Sequence, residues 1–535
     1  MARDTSLLTF SIGPVHTFIA QARRVADLWA GSALLSHLIG KAIEIVHGDE
    51  CEMIFPAVKT GPIPPGLPNR FVCRIPSGKE RVMAGKMRNA VIEEWNECVK
   101  QAVDILKKRG IYPDEAIWQA SGASRQTDKV LDISWSWVPE NGDYAAASRA
   151  GAAQFAASRM FRPFEQIAEE GEKCAICGER TALPNGRRSD VRTAWETAEK
   201  CSEGLEAFFR GDQSRLCLVC ATKRLYPLRS NGSEAYFRAF DRFQPKIDEP
   251  YFAVVAMDGD NMGRILGWQA DRIRGDVENF HIKVSEILTN FASDLRKSGE
   301  PALNLDTLKH FMPADFAPAS QAPQLIYAGG EDVLFICNPR DALPIAQGIR
   351  NKYREMFKEV KALLKDSEDC NRFTISAAIL FCHTKHPAGL VFRDVQNLLD
   401  RQAKDEAGRD AVAMKLDKRG GYPISVAFKW DDTGSGTDYV RLFNGVVARI
   451  SDKEMSSSQS FNLPFHNFGR ATELSTLEHV FTTKDDWEKW LAEKLSRGIG
   501  SSEIAGILAK DVSPFFMTRK TDALRIARFL AKEVE

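Results

Sequence analysis

From Tyr251 onward the hydrophobic pattern is orderly. Phe252-Ala253-Val254-Val255-Ala256-Met257 is an unbroken apolar run that ends on Asp258-Gly259-Asp260. Such a run predicts a buried strand whose tip carries acid. Phe280, Val284, Ile287, Leu288 and Phe291 then recur at helical spacing. Leu325-Ile326-Tyr327-Ala328 and Val333-Leu334-Phe335-Ile336 flank Gly329-Gly330-Glu331-Asp332. The paired glycines supply the positive φ that a tight hairpin turn requires. A helix from about Pro344 to Lys365, a strand Phe373–Phe381, a helix Leu390–Ala403 and an apolar run at Ala411–Met414 complete the series. The order βα(α)ββαβαβ predicts a mixed sheet covered by helices on one face, a ferredoxin-like palm.

The start of the chain reads as a second α/β unit. Ser6 to Gly13 is strand-like, and Pro14 is expected at the first position of a helix bearing Phe18, Ile19, Ala22 and Val25. Leu28-Trp29-Ala30-Gly31-Ser32 is expected to break that helix before a second one through Leu34, Leu35, Leu38 and Ile39. A third helix is predicted over Glu80–Lys108, and Ile133–Val138 alternates like a strand. Residues 160–248 are polar and rich in Arg and Gly. So few apolar residues cannot support a core alone, so an insertion stapled by metal is expected there. After a Gly/Thr/Asp linker at 432–437, amphipathic stretches at Leu477–Val480, Trp487–Leu491, Ile504–Leu508 and Leu524–Val534 predict a helical bundle. The fold class is α/β (α+β), divided at residues 1–160, 161–248, 249–425 and 426–535.

Composition narrows the function classes. Lys+Arg and Asp+Glu are both 72, so the net charge is zero. That excludes a generally basic nucleic-acid coat but leaves a local basic groove or recruitment through a partner open. No apolar stretch reaches the roughly 20 residues of a membrane helix. Met1-Ala2-Arg3-Asp4-Thr5 has no signal-peptide pattern, and the eleven cysteines are an odd number. A cytoplasmic protein with reduced thiols is expected.

Four cysteines are not scattered. Cys174-Ala175-Ile176-Cys177 and Cys217-Leu218-Val219-Cys220 form two CxxC pairs. Each pair puts two thiolates on one turn, and together they complete a closed tetrahedral Zn²⁺ site of structural type. Redox dithiols are the alternative.

The other cluster is acidic. With the two strands side by side, Asp258, Glu331, Asp332 and Asp260 crowd one edge. Like charges so close resist ionisation unless a cation neutralises them. Hard divalent ions with oxygen ligands fit best, and Mg²⁺ usually brings nucleotide phosphates with it. Asp258, Glu331 and Asp332 are therefore the expected ligands of two Mg²⁺ or Mn²⁺ ions. Asp260 either faces the metal or caps the next helix.

The second α/β unit resembles the catalytic palm of diguanylate (GGDEF-type) and class III nucleotidyl cyclases. Asp258 ends the first strand, Gly329-Gly330-Glu331-Asp332 matches the hairpin signature, and Ala403-Lys404 with Gly408-Arg409-Asp410 matches the late AK…GRN element. Nearly the whole chain resembles a narrower family, the large palm subunit of type III CRISPR–Cas effector complexes of the Cmr subtype. Ser11-Ile12-Gly13-Pro14-Val15-His16-Thr17-Phe18-Ile19 with Ala22-Arg23-Arg24, Leu28-Trp29-Ala30-Gly31-Ser32, the two CxxC pairs, Asp258-Gly259-Asp260-Asn261-Met262-Gly263 and the hairpin stand in that family's order.

The resemblance implies two palms, a zinc insertion and a C-terminal helical domain that packs on the small subunits of a guide-RNA complex. Target RNA, acting indirectly, would switch on conversion of ATP to cyclic oligoadenylate messengers. It also implies that Lys404 reaches the phosphates, that the Gly259 carbonyl lies near the ion, and that Arg409 is functional or structural. Ser376 approaches the base or packs. The first palm carries Ser11 and Gly13 where the second carries acid. It is expected to hold no catalytic metal but to cradle a second ATP at the helix N-terminus after Gly13-Pro14, aided by His16 and Arg23. Two departures stand out. There is no His-Asp dipeptide, so no HD nuclease activity is expected, and the hairpin is Gly-Gly-Glu-Asp rather than ending on two aspartates. Some relatives without the HD domain are thought to join ATP to another adenosyl metabolite. An ATP-binding scaffold and a free-standing diguanylate cyclase are the competing readings.

Overall fold

The computed structural model describes residues 4–48, 51–160, 169–238, 250–454 and 483–532, with shorter gaps inside these ranges. The expected linker at 432–437 and helix at 477–480 lie outside the described residues.

Two sheets form the frame. The first contains β1 (Thr5–Gly13), β2 (Glu52–Phe55), β3 (Arg70–Pro76) and β4 (Asp132–Pro139) in the antiparallel order β2-β3-β1-β4. The second contains β5 (Tyr251–Gly259), β6 (Gln324–Gly329), β7 (Asp332–Cys337), β8 (Ile375–His383), β9 (Ala411–Asp417) and β10 (Ile424–Lys429). Its order is β10-β9-β8-β5-β7-β6, with only β8 and β9 parallel.

β5 is central and buried on both faces, which is why its sequence is apolar without alternation. Successive side chains of a strand point to opposite faces. Phe252, Val254 and Ala256 join the core that holds Leu8, Phe10 and Ile12 of β1. Ala253, Val255 and Met257 face a second core with Phe280, Val284 and Ile287. The helix Val277–Asp294 that supplies those residues is capped by Asp276, whose carboxylate accepts the Glu278 N–H.

The first sheet departs from expectation at its helices. The opening helix is only His16–Ala20, and Pro14 lies outside it. The break falls at residues 21–24, not at 28–32, and the helix Val25–Gly48 runs through Leu28–Ser32. Gly31 is a point of close approach rather than a breaker. A β-carbon there would lie 3.1 Å from Cδ of Lys223. Lys223 is buried, and its ammonium donates to the backbone oxygens of Phe18 and Gln21, which brace the break. Asp27 caps the next helix by accepting the Arg23 and Arg24 N–H groups at 3.2 Å. Its carboxylate is also bonded by both arms of Arg224 at 2.7 Å, a fully buried ion pair.

Lys223 and Arg224 belong to the helix Leu218–Leu225 that follows the second cysteine pair, and every residue of it is buried. The cysteine segment therefore shares the first core rather than standing apart as a polar appendage.

Further corrections concern the second sheet's helices. One runs Pro339–Phe357, started by Asn338 as cap, and turns 3-10 over Lys358–Leu363. Another divides into an α-helix Ala388–Asn397 and a π-helical stretch Leu398–Glu406. The sheets are tied together by Tyr144 Oη to His281 Nδ1 at 2.9 Å and by Arg74, which bonds Glu140 and Glu278.

Helices Tyr439–Ser451, Lys484–Ile499, Ser502–Met517 and Asp522–Lys532 form the C-terminal region. Phe529 of the last packs edge-on against Tyr251 at 5.1 Å. Among the described residues no helix is long and apolar enough to cross a membrane.

Candidate active site

The β5–β7 ladder sets the acids in place. Its last pair is Met257 opposite Val333, so Asp258 and Asp332 are the next residues out on adjacent strands. β6 and β7 close at Gly329 opposite Asp332, around Gly330 with φ +63° and Glu331. The left-handed conformation at Gly330 is one an L side chain rarely adopts. Gly329 is needed for a different reason. A β-carbon on it would lie 2.5 Å from the Gly66 carbonyl oxygen of the first unit. Gly259 is bare for the same kind of reason, with Glu331 Cβ 2.7 Å and Tyr353 Oη 2.8 Å from where its β-carbon would stand.

The acids act on one another. Burial, then the charge of Asp258, pushes Glu331 up to about 7. Burial with the charges of Asp258 and Glu331 holds Asp332 well above the usual carboxylate range, although its side chain remains open to solvent within the cleft. Lys404, on the π-helical stretch, forms an ion pair with Asp258 and stands 4.0 Å from Asp400. The wide π turn is a common device where a helix must present one side chain to a site.

Asp260 does not cap the next helix, whose cap position is Asn261. Asp260 is buried, with Ser376 Oγ donating to it at 2.8 Å, Thr374 Oγ1 at 2.9 Å and the Asp410 N–H at 2.9 Å. Burial raises its pKa against those bonds. Ser376 is thereby a structural donor. Arg409 and Asp410 both have positive φ, 64° and 41°. Arg350 holds Asp410 with two bonds at 3.0 and 2.9 Å, and the Trp430 N–H donates to the Asp410 carbonyl at 3.1 Å.

A cavity of about 390 Å³ lies between the two sheets. Asp258 and Asp332 line one side, and Gly13, His16, Asp132 and Arg159 line the other. Ser11 lies deeper and is buried, its hydroxyl accepting from Asn69 Nδ2 at 3.4 Å. Arg23 is exposed and does not line the cavity. The helix after Pro14 has five residues, too few to offer the phosphate cradle expected of it. Sequence reasoning missed Tyr353, Asp132 and Arg159. Asp132 is the partner of Gly13 across β1 and β4, so only the register reveals it.

The Sγ atoms of Cys174, Cys177, Cys217 and Cys220 all lie within 4.8 Å of one another, with Cys177 and Cys217 3.8 Å apart. Tetrahedral zinc with Zn–S of about 2.3 Å needs S···S of about 3.8 Å. The four thiols are thus placed to hold a metal such as zinc. Among the described residues the acids form no such tight group. They still fit a divalent cation, being oxygen donors among which burial and the charge of Asp258 oppose ionisation of Glu331 and Asp332, beside a buried Tyr353 hydroxyl without a hydrogen-bond partner among the described residues.

Residues 251–413 match the family described as Cas10/Cmr2, second palm domain, and residues 7–100 match CRISPR-associated protein Cmr2, N-terminal. Both matched segments are thus domains of the Cas10/Cmr2 kind. The CRISPR system Cmr subunit Cmr2 of Pyrococcus furiosus (strain ATCC 43587 / DSM 3638 / JCM 8422 / Vc1) is 24% identical over 596 residues, covering 82% of this chain and 64% of that protein. The chain thus spans under two thirds of that Cmr2's length. Two cryo-EM structures of type III-B Cmr-beta share the fold at 12% identity and a TM-score of 0.56. One is the apo state, with 92% of this chain and 77% of that chain covered. The other is bound to cognate target RNA, with 93% and 78% covered. The acids of the hairpin and of β5 all fall inside the matched Cas10/Cmr2 second palm.

Proposed function

We propose that this chain is the nucleotidyltransferase subunit of an RNA-guided type III effector complex and that it converts ATP to cyclic oligoadenylate. The observation that carries the reading is the strand register that sets Asp258 beside Asp332 on a cavity walled on its far side by the first sheet, with Glu331 next to Asp332 in the hairpin. Burial and the charge of Asp258 raise Glu331 and Asp332, and carboxyls perturbed in this way cluster at functional sites.

Asp258, Glu331 and Asp332 would hold two Mg²⁺ or Mn²⁺ ions. When bound, such ions neutralise a triphosphate and lower the pKa of an attacking hydroxyl. Lys404 adds a point cation beside Asp258 for the phosphates. Gly259, Gly329 and Gly330 let the backbone close around the acids. The far wall, with Gly13, His16 and Arg159, receives the second ATP. Asp260 holds β5, β8 and the 408–410 turn together. The four cysteines hold structural zinc. Guide-RNA complex subunits are the partners, target RNA acts through them, and the cytoplasm is the compartment.

The test is incubation of the reconstituted complex with labelled ATP, with and without matching target RNA. A cyclic adenylate formed only with RNA supports the reading. No nucleotide product would make the chain a scaffold. A product carrying a second adenosyl metabolite would change the acceptor, and a GTP product without RNA would make it a diguanylate cyclase.

A further inference from the structure

The Tyr353 hydroxyl is fully buried and has no hydrogen-bond partner among the described residues. Buried hydroxyls in native folds nearly always have one, so an orphan calls for an explanation. The ring itself is fixed. Phe291 meets it edge-on at 5.2 Å and Phe357 lies 4.7 Å away, on the same helix Pro339–Phe357.

The hydroxyl faces the acids. The bare face of Gly259 is shared by Tyr353 Oη and the Glu331 stem, at 2.8 Å and 2.7 Å from the missing β-carbon. A tyrosine hydroxyl is protonated near neutral pH and an ionised carboxylate only accepts, so the phenol acts as the donor toward these acids. Two of those acids are already engaged. Asp260 is saturated by Ser376, Thr374 and the Asp410 N–H, and Asp258 is paired with Lys404. Glu331 has no side-chain hydrogen bond to another described residue.

We propose that Tyr353 is a positioning residue whose phenol O–H donates to the Glu331 carboxylate when a divalent cation is held at the hairpin. The inference rests on the assignment of Asp258, Glu331 and Asp332 as cation ligands. The phenol secures the carboxylate from the protein side while the cation neutralises it from the cleft. Gly259 is what allows the two side chains to meet.

Tyr353→Phe deletes one oxygen and keeps the ring. No bond is lost in the cation-free protein, so its melting temperature should not fall. Mn²⁺ titrated into the full chain by calorimetry should bind roughly tenfold more weakly, the loss of one hydrogen bond to a charged acceptor. Glu331→Asp draws the carboxylate back by one methylene, so adding Tyr353→Phe to it should cost nothing more.

Mn²⁺ affinity equal to wild type in Tyr353→Phe overturns the proposal and leaves the ligand assignment standing. Additive losses in the double variant also overturn it. Wild-type protein that binds no Mn²⁺ overturns the ligand assignment and the proposal together. Should Tyr353→Phe not fold, the ultraviolet difference spectrum of the wild-type protein on Mn²⁺ binding decides. A red shift of a buried tyrosine band, from a phenol that gains an acceptor, supports the proposal, and no tyrosine shift refutes it.

Discussion

Gly259 and Glu331 are packed so closely that a β-carbon on the glycine would lie 2.7 Å from that of the glutamate. The hairpin therefore has one permitted position relative to β5, and the glycine sets it. Gly259→Ala should displace Glu331 and cost about 1–3 kcal/mol of stability through overpacking. Nucleotide turnover should fall far more, roughly a hundredfold, because a shift near 1 Å misaligns reacting groups. Thermal melting and initial rates on the same preparation separate the two effects.

The acids predict a pH dependence. Burial and Asp258 raise Glu331 from 4.5 to about 7. A carboxyl whose folded pKa is raised stabilises the fold below its ordinary pKa, and that contribution is lost as pH climbs through the folded value. The cation-free protein should thus lose stability between 4.5 and about 7. Mn²⁺ requires the ionised form, so it should bind more tightly at about pH 8 than at about pH 6 and release protons on binding. Calorimetry in buffers of different ionisation heat measures the proton count.

The cysteine segment should behave as part of the first core. Asp27 is buried, which alone would raise its pKa, but Arg224, with Arg24 and Lys223 beside it, outweighs burial and holds it below the usual range. Its contribution is present above the ordinary carboxylate pKa and lost on acidification below it. Asp27→Asn strands the buried Arg224 and should destabilise the protein by about 3–5 kcal/mol. Removal of the thiol-bound metal by a chelator should lower the melting temperature in the same direction, since Lys223 and Arg224 lie on the same helix as Cys220, three and four residues after it.

Asp260→Asn tests the brace behind the acids. The hydroxyls of Thr374 and Ser376 can reorient toward an amide, but the Asp410 N–H cannot if it meets an NH₂ group. A loss of about 1–3 kcal/mol in denaturant unfolding is expected. Cation binding should persist, because the Asp260 carboxylate is spent on the frame.

Much of the frame was legible. The unbroken apolar run of β5 announced a doubly buried strand, and Gly329-Gly330 announced the hairpin. The helix Glu80–Lys108 falls where its periodicity put it. The failures share a cause, which is that they depend on packing between distant segments. Gly31 reads as a breaker until Lys223, far along the chain, is seen to need the space. Asp260 reads as a metal-facing acid or a helix cap until Thr374, Ser376 and Asp410 are seen to close around it. Tyr353 reads as one more core position of an amphipathic helix, because periodicity records which face is buried and not what the hydroxyl meets. The apolar character of Leu218–Leu225 was diluted by Lys223 and Arg224, whose charges are satisfied only in the fold.

The most direct measurement is nucleotide formation by the assembled complex carrying Glu331→Ala with Asp332→Ala. Wild-type complex with target RNA should convert labelled ATP to product, and the double variant should assemble normally yet form none. Product at the wild-type rate from the double variant would contradict the assignment of these carboxylates to the chemistry.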